Sequence, residues 1–121
     1  MTGFVPAPIK PEITMDHLEK IDIRVGAIER VEPVPASSKL VKLTVDFGDR
    51  RRTVLVGLRA ERANPQAEIE GRQALFVVNL PARGLAGEIS EAMLFDIGYA
   101  DGLTPVLAIL EKPLPNGARA G

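Results

Sequence analysis

The chain of 121 residues has no cysteine and only one histidine, His17. The absence of cysteine excludes a disulfide framework, a thiolate metal ligand and a cysteine nucleophile, and nothing indicates an oxidising compartment. A lone histidine on a short predicted helix is far more often a surface residue than a general base. The sequence also lacks H-E-x-x-H, a phosphate-binding loop and a G-x-G-x-x-G after a strand. We therefore expect a protein that is not an enzyme and that needs neither a cofactor nor a metal.

The chain also lacks an excess of one charge and a long apolar run. It has 15 Lys and Arg residues against 16 Asp and Glu residues, for a formal net charge of −1. Unspecific coating of nucleic acid needs a broad excess of cations, so only a small, local basic site is compatible with this balance. No segment near the N-terminus is apolar enough for a signal peptide or a membrane span. A soluble cytoplasmic protein with no membrane contact is the expectation.

The hydrophobic periodicity is mostly that of strands. Residues 1–12, with three prolines, are predicted to form a flexible lead, and residues 13–121 a single domain. Thr14 and Asp16 favour a short helix up to Lys20. A phase break at Gly26 predicts a bulge or a sharp bend in the first strand. Alternating or apolar strand patterns lie at residues 21–31, 41–47, 53–56, 73–79 and 92–98, with short helical stretches at 59–63 and 66–70.

This order favours an all-β fold, a five-stranded OB-fold barrel with a short helical connection, an N-terminal helix and a C-terminal extended extension. The pattern alone leaves an SH3-like barrel or a small sandwich open. Residues 79–93 carry polar side chains and two glycines without an apolar period, between two candidate strands. Polar residues on a connection held by rigid strands are typical of binding sites.

Several ordered motifs between about Thr14 and Gly117 resemble one family. They are I-D-I-R-V-G at 21–26, S-K-L at 38–40, G-R-Q at 71–73, and V-N-L at 78–80 followed by Arg83, Gly87, Ser90, Glu91 and Met93. This set is similar to the tRNA-binding OB domain of bacterial methionyl-tRNA synthetases, of stand-alone structure-specific tRNA-binding proteins, of the EMAP-II/Arc1p group and of the chaperone CsaA. The resemblance implies a non-catalytic homodimer that recognises folded tRNA by its shape and phosphates. The alternative is a CsaA-like secretion chaperone that binds unfolded or exported polypeptide in the same groove or along an exposed strand edge.

The resemblance also implies the contact residues. The family's groove residues fall on Lys39, Asn79, Arg83, Ser90 and Met93. The block at Arg50, Arg51 and Arg52 is added as RNA-binding because it could border the groove, although a solvated hairpin tip is the preferred interpretation of the block taken alone. Two of the five carried over have a second interpretation: Met93 shares its phase with Phe95 and Ile97, which favours core packing, and Asn79 could hold the loop backbone.

Three positions depart from the family pattern. Gly84 stands where a second basic residue is usual, Val56 replaces a serine, and Ala92 replaces a glycine. We expect the loss of a cation and a hydroxyl to weaken phosphate binding by about 1 to 3 kcal/mol if both made charge-assisted bonds. Aromatic residues are few; Phe47, Phe76 and Phe95 fit core positions, so unspecific binding of single strands by stacking is disfavoured.

Overall fold

A computed structural model describes residues 3–121, and most of its regular structure is β. The predicted flexible lead of residues 1–12 begins with two residues outside the described part. From residue 4 to residue 14 the chain forms neither helix nor strand, and its flexibility stays a prediction. The strands are β1 Ile23–Pro33, β2 Val41–Asp46, β3 Arg51–Val56, β4 Gln73–Val77, β5 Arg83–Leu85, β6 Glu88–Ser90, β7 Met93–Leu94, β8 Asp96–Ile97, β9 Val106–Leu107 and β10 Arg119–Ala120. The α-helices are α1 Met15–Leu18 and α2 Pro65–Ile69, and two single-turn 3₁₀ helices are η1 Leu58–Ala60 and η2 Tyr99–Asp101.

Five antiparallel strands form a nearly closed barrel, which confirms the predicted OB fold. The strands follow the order β3, β2, β1, β4 and β7, and β10 pairs with the start of β1. The 11-residue strand β1 is long enough to serve two neighbours, because its first half pairs with β4 and its second half with β2. The helical connection lies between β3 and β4, as the sequence predicts, and Asn64 caps α2 by accepting a hydrogen bond from the Ala67 amide.

The core fills the inside of the barrel with aliphatic side chains and one aromatic pair. Phe47 and Phe76 meet edge to face, with ring centroids 5.4 Å apart. Gly26 faces this pair, and a Cβ atom there would lie 2.5 Å from Val45 Cγ1 and 2.8 Å from Phe47 Cε1. Gly26 therefore leaves the space that the aromatic pair occupies, which lets β1 lie close against the core.

The bulge in β1 lies further along than the sequence predicts. Gly26 pairs in register with Ala74, and the pairing with β2 shifts between Ile28 and Arg30 instead. The extra residue is thus Glu29, which is exposed and whose carboxylate accepts a hydrogen bond from the guanidinium of Arg51. A bulge of this kind bends a strand locally, as closure of a small barrel requires.

The connection from residue 79 to residue 93 contains a two-stranded ribbon, β5 and β6, which the sequence analysis does not predict. The ribbon pairs Arg83 with Ser90 and Leu85 with Glu88. Its turn is formed by Ala86 and Gly87, both with positive φ, at 50° and 80°. Two consecutive residues with positive φ are the mark of a tight hairpin turn that matches the strand twist.

The C-terminal segment returns to the barrel, where an irregular extension is predicted. Beyond the residues with no regular structure, the Gly117 amide donates to the Val25 carbonyl at 2.7 Å, and β10 then pairs with Ile23 and Arg24. Gln73 holds the approach to this segment through hydrogen bonds with the Leu114 backbone. The extension therefore covers the free side of the start of β1.

Candidate nucleic-acid interface

The ribbon and the barrel enclose a groove of about 480 Å³. The β3 end, the η1 turn, the ribbon and the β7–η2 segment form its walls, and most of the side chains on these walls are apolar. Arg83 lines the groove from the ribbon, while Glu61 and Asp96 line it from η1 and β8. Tyr99, whose side chain is 73% exposed, lines the groove from η2. The groove thus combines one cation, two carboxylates, an aromatic ring and apolar walls.

Two of the predicted contact residues, Lys39 and Arg83, carry positive charges that no described residue pairs with. Neither side chain forms an ion pair or a hydrogen bond within the described part of the chain, and both are exposed. Lys39 is not one of the groove-lining residues but is next to one, because Leu40 lines the groove, and the Lys39 carbonyl accepts from the Arg59 amide of η1. An exposed cation with no partner can bind a phosphate without first breaking an internal contact.

Ser90 faces the groove wall, but its hydroxyl is used inside the protein. Its Oγ accepts from the Leu55 amide at 3.0 Å and donates to the Ala92 carbonyl at 3.1 Å, and the residue is buried. The neighbouring Glu91 acts similarly: its amide donates to the Thr53 carbonyl and its carboxylate accepts from the Thr53 amide. These two residues join the edge of β3 to the loop before β7 and so close the barrel.

The side chain of Asn79 binds backbone groups, which is the second of the two interpretations that the sequence allows. Its Oδ1 accepts from the Asp22 amide at 3.0 Å, and its Nδ2 donates to the Lys20 carbonyl at 2.6 Å. The side chain therefore fixes the segment between α1 and β1 to the end of β4. Both functions of the amide are engaged, and Asn79 lies outside the residues that line the groove.

The arginine block divides into three different environments, all away from the groove. Arg51 binds Glu29 with two hydrogen bonds on the outside of the bulge. Arg52 donates from Nη1 to the carbonyls of Val78 and Glu91, which makes it part of the barrel closure. Arg50 pairs with the neighbouring carboxylate of Asp49 in solvent. Arg50 and Arg52 line a separate, smaller cavity together with Arg24 and Asn79.

Met93 lies in the groove, and the interpretation that its phase favours core packing is wrong. Met93, Phe95 and Ile97 are 49%, 41% and 55% exposed, whereas Leu94 between the first two is buried. The alternation was recognised correctly, but the face was assigned wrongly, because the pairing of β7 with β4 directs Leu94 inward. Phe95 is accordingly not a core residue, while Phe47 and Phe76 are.

The departure at Gly84 lies on the far side of the ribbon. Arg83 and Leu85 face the groove, so Gly84 between them faces away from it, opposite the exposed Ile89. A side chain at this position would enter open space, since no atom lies within 4 Å of a Cβ built there. Val56 and Ala92, the other two departures, do line the groove and make it more apolar.

The two carboxyl groups of the groove both have a pKa above the ordinary value. Burial, followed by the negative charge of Asp96, raises the pKa of Glu61, and burial raises the pKa of Asp96. Neither carboxylate accepts a hydrogen bond from a side chain of the described residues. Asp22, by contrast, has its pKa lowered by the hydrogen bonds from Arg24, so this pair outside the groove is satisfied. Sequence reasoning missed Glu61 and Asp96, because isolated acids on a turn and a short strand carry no recognisable spacing.

Comparison with known proteins identifies the family of this chain. A family model described as "Putative tRNA binding domain" matches residues 23–119, which is most of the chain. This chain belongs to the tRNA-binding domain family. The family match covers the whole barrel and both sides of the groove.

Relatives of this tRNA-binding domain include a synthetase and a chaperone. The chain is 40% identical over 98 residues to the methionine-tRNA ligase of Chlorobaculum tepidum, which covers 81% of this chain but only 14% of the ligase. The MetRS-related protein from Pyrococcus horikoshii is 32% identical, with a TM-score of 0.83, 93% of this chain and 100% of that protein covered. The chaperone CsaA from Bacillus anthracis is 26% identical, with a TM-score of 0.77, 92% of this chain and 100% of that chain covered.

In the described residues, no helix has the length and apolar character required to span a membrane.

Proposed function

We propose that this domain binds folded tRNA in the groove without catalysing a reaction. The observation that carries the proposal is the position of Arg83 and Lys39, two exposed cations without internal partners, at a groove of a domain whose family is defined by tRNA binding. Structured RNA is recognised largely through shape, phosphate and 2′-OH contacts, for which a rigid ribbon beside a barrel is suited. A role in tRNA binding implies a cytoplasmic location.

The proposed contact set differs from the eight residues that the sequence suggests. Lys39, Arg83 and Met93 remain as contacts, because all three are exposed, Arg83 and Met93 line the groove, and Lys39 precedes the lining residue Leu40. Ser90, Asn79 and Arg52 are proposed to position these contacts, since their polar atoms already hold the barrel together. Arg50 and Arg51 are proposed to contribute little, because each is paired with a carboxylate outside the groove.

Titration with unfractionated tRNA at two salt concentrations tests the proposal. We expect the affinity to fall steeply with salt, because phosphate binding releases counterions. Arg83→Ala should weaken binding by about tenfold or more, since a hydrogen bond to a charged group contributes about 1.5 to 3 kcal/mol. Arg51→Ala is the matched control and should bind almost as well as the parent. Absence of salt-sensitive binding by the parent protein would contradict the function, and a larger loss in Arg51→Ala would place the site elsewhere.

A peptide-binding role, as the name of the CsaA relative suggests, is the second candidate. The apolar walls of the groove favour it, because an extended polypeptide could bury side chains there. Addition of a peptide to the edge of β3 is disfavoured, since the amides of Thr53 and Leu55 are already bound by Glu91 and Ser90. Peptide binding in the groove would depend on salt much less than tRNA binding, so the same titration separates the two.

We further propose that the domain is a homodimer formed through its N-terminal face. No residue of α1 is buried, and Met15 and Leu18 are 64% and 51% exposed, beside Ile21 at 47%. Apolar side chains that share one exposed helix and its exit are typical of an interface. A dimer would present two grooves, which supports the binding of a large polyanion by a chain of net charge −1.

A further inference from the structure

Two acidic residues of the groove, Glu61 and Asp96, are not explained by a site that only neutralises phosphates. Glu61 and Asp96 both line the groove, close enough for the charge of one to affect the other. Next to a polyanion, two carboxylates are unfavourable unless they accept hydrogen bonds from it. Their presence in the groove of a tRNA-binding domain therefore indicates a feature of RNA that donates hydrogen bonds.

The surroundings of the carboxylates favour a nucleobase over a metal ion. A metal would need several ligating groups, and the described residues contain no cluster of three or more His, Cys, Asp or Glu side chains. Most other side chains that line this groove are apolar, and the exposed ring of Tyr99 also lines it. A ring and an apolar wall receive the face of an unstacked base, whose edge is then available for hydrogen bonding.

The four bases differ in the hydrogen-bond donors and acceptors on their Watson–Crick edges, and this difference favours one of them. A carboxylate only accepts hydrogen bonds, and its two oxygens suit two parallel N–H donors. Guanine presents such a pair on its Watson–Crick edge, N1–H beside the N2 amino group, whereas adenine, cytosine and uracil each place an acceptor there. We propose that Glu61 and Asp96 form a subsite for one unpaired guanine, stacked near Tyr99, while Arg83 holds a phosphate of the same strand. This inference rests on the proposed function and adds a base preference to it.

The position of the elements supports a fixed subsite. Asp96 lies in β8 and pairs with Leu107 of β9, a buried residue, so its backbone is held by the barrel. Gly98 has a φ of 107° and a Cβ at that position would lie 3.2 Å from the Leu103 Cβ, so this turn sets the place of Tyr99. The acceptors and the ring are thus on neighbouring, structured segments, as recognition of a single base requires.

The test uses labelled RNA hairpins that differ at one loop position in an otherwise uridine loop. The parent protein should bind the hairpin with guanine about tenfold more tightly than the all-uridine hairpin, because a bidentate base contact discriminates by about that factor or more. Inosine, which lacks the N2 amino group, should lose most of this preference. The analogue 7-deazaguanine, which keeps the Watson–Crick edge, should retain it.

The protein variants separate base recognition from simple repulsion. Removing a negative charge strengthens the binding of any RNA, so the ratio of the two affinities is the informative quantity. Asp96→Asn and Glu61→Gln should each reduce the guanine-to-uridine ratio toward one. Asp101→Asn, in the same 3₁₀ helix as Tyr99 but outside the groove lining, removes the same charge and should leave the ratio unchanged.

The outcomes are distinct. Salt-sensitive binding of tRNA with a guanine-to-uridine ratio of one overturns the guanine subsite and leaves the proposed function intact. A parent protein that binds neither tRNA nor the hairpins contradicts both. If Asp96→Asn instead weakens only an Arg-rich peptide while the RNA ratio is unchanged, the two acidic residues serve a peptide and the guanine proposal is wrong.

Discussion

The absence of a side chain at Gly26 makes room for three side chains of the core. Val45, Phe47 and Phe76 occupy the volume that a methyl group on this residue would need. The strand pairing continues through Gly26 without a shift, so the residue is required by packing and not by an unusual backbone conformation. The edge-to-face aromatic pair depends on this space.

We expect Gly26→Ala to lower the free energy of unfolding by about 1 to 3 kcal/mol, as overpacking of a filled core does. Urea denaturation followed by circular dichroism measures the change. Gly84→Ala is the control, because its methyl group would meet no atom within 4 Å, and its effect should stay within about 0.5 kcal/mol. Equal stability of the two variants would show that the core can yield at Gly26.

The barrel is closed between β3 and β7 largely by side chains, because β7 has only two residues. β3 has no full ladder to β7; instead Ser90 and Glu91 bind the amides of Leu55 and Thr53. Arg52 adds hydrogen bonds to the carbonyls of Val78 and Glu91. Three polar side chains, with four hydrogen bonds, therefore take the place of a full strand pairing.

Ser90→Ala should destabilise the protein by about 1 to 3 kcal/mol, because it leaves a buried amide and a carbonyl without their partner. Ser38→Ala, at an exposed position, should have no measurable effect on the unfolding midpoint. If Ser90→Ala unfolds like the parent but binds tRNA less tightly, Ser90 is a contact residue after all.

Sequence periodicity located the barrel strands and the helical connection, because alternation depends only on the chain itself, but the single strand predicted at 92–98 is two short strands, β7 and β8. The ribbon was missed, since strands of three residues have no measurable period. The face of Met93 depends on pairing with β4, and the roles of Ser90 and Asn79 depend on Leu55 and Asp22, which are distant in the chain. Partners of this kind cannot be identified from spacing. The predicted RNA contacts that are free in the structure, Lys39 and Arg83, were suggested by the family resemblance.

At the scale of the whole molecule, a near-neutral chain must concentrate its positive potential to hold tRNA. Most arginines of this domain are engaged internally or paired, which leaves few cations for a ligand. One groove thus offers a small number of phosphate contacts, and the two grooves of a dimer would double that number and make the fall of affinity with salt steeper.

Dimer formation is tested by light scattering of the parent protein, which should have twice the mass of one chain. Met15→Asp combined with Leu18→Asp should give a monomer, because charges on the exposed face of α1 would be buried without partners. Ile89→Asp, at an equally exposed apolar position on the ribbon, is the control and should remain dimeric. A monomeric parent at working concentration would contradict the dimer.

The side-chain closure of β3 has a consequence for how copies of the domain avoid aggregation. An exposed strand edge with free amides is a template on which identical chains stack. Here the amides of Thr53 and Leu55 are already bound within the molecule. Ser90, which lines the groove, and its neighbour Glu91 thus also protect the protein from edge-to-edge polymerisation at high concentration.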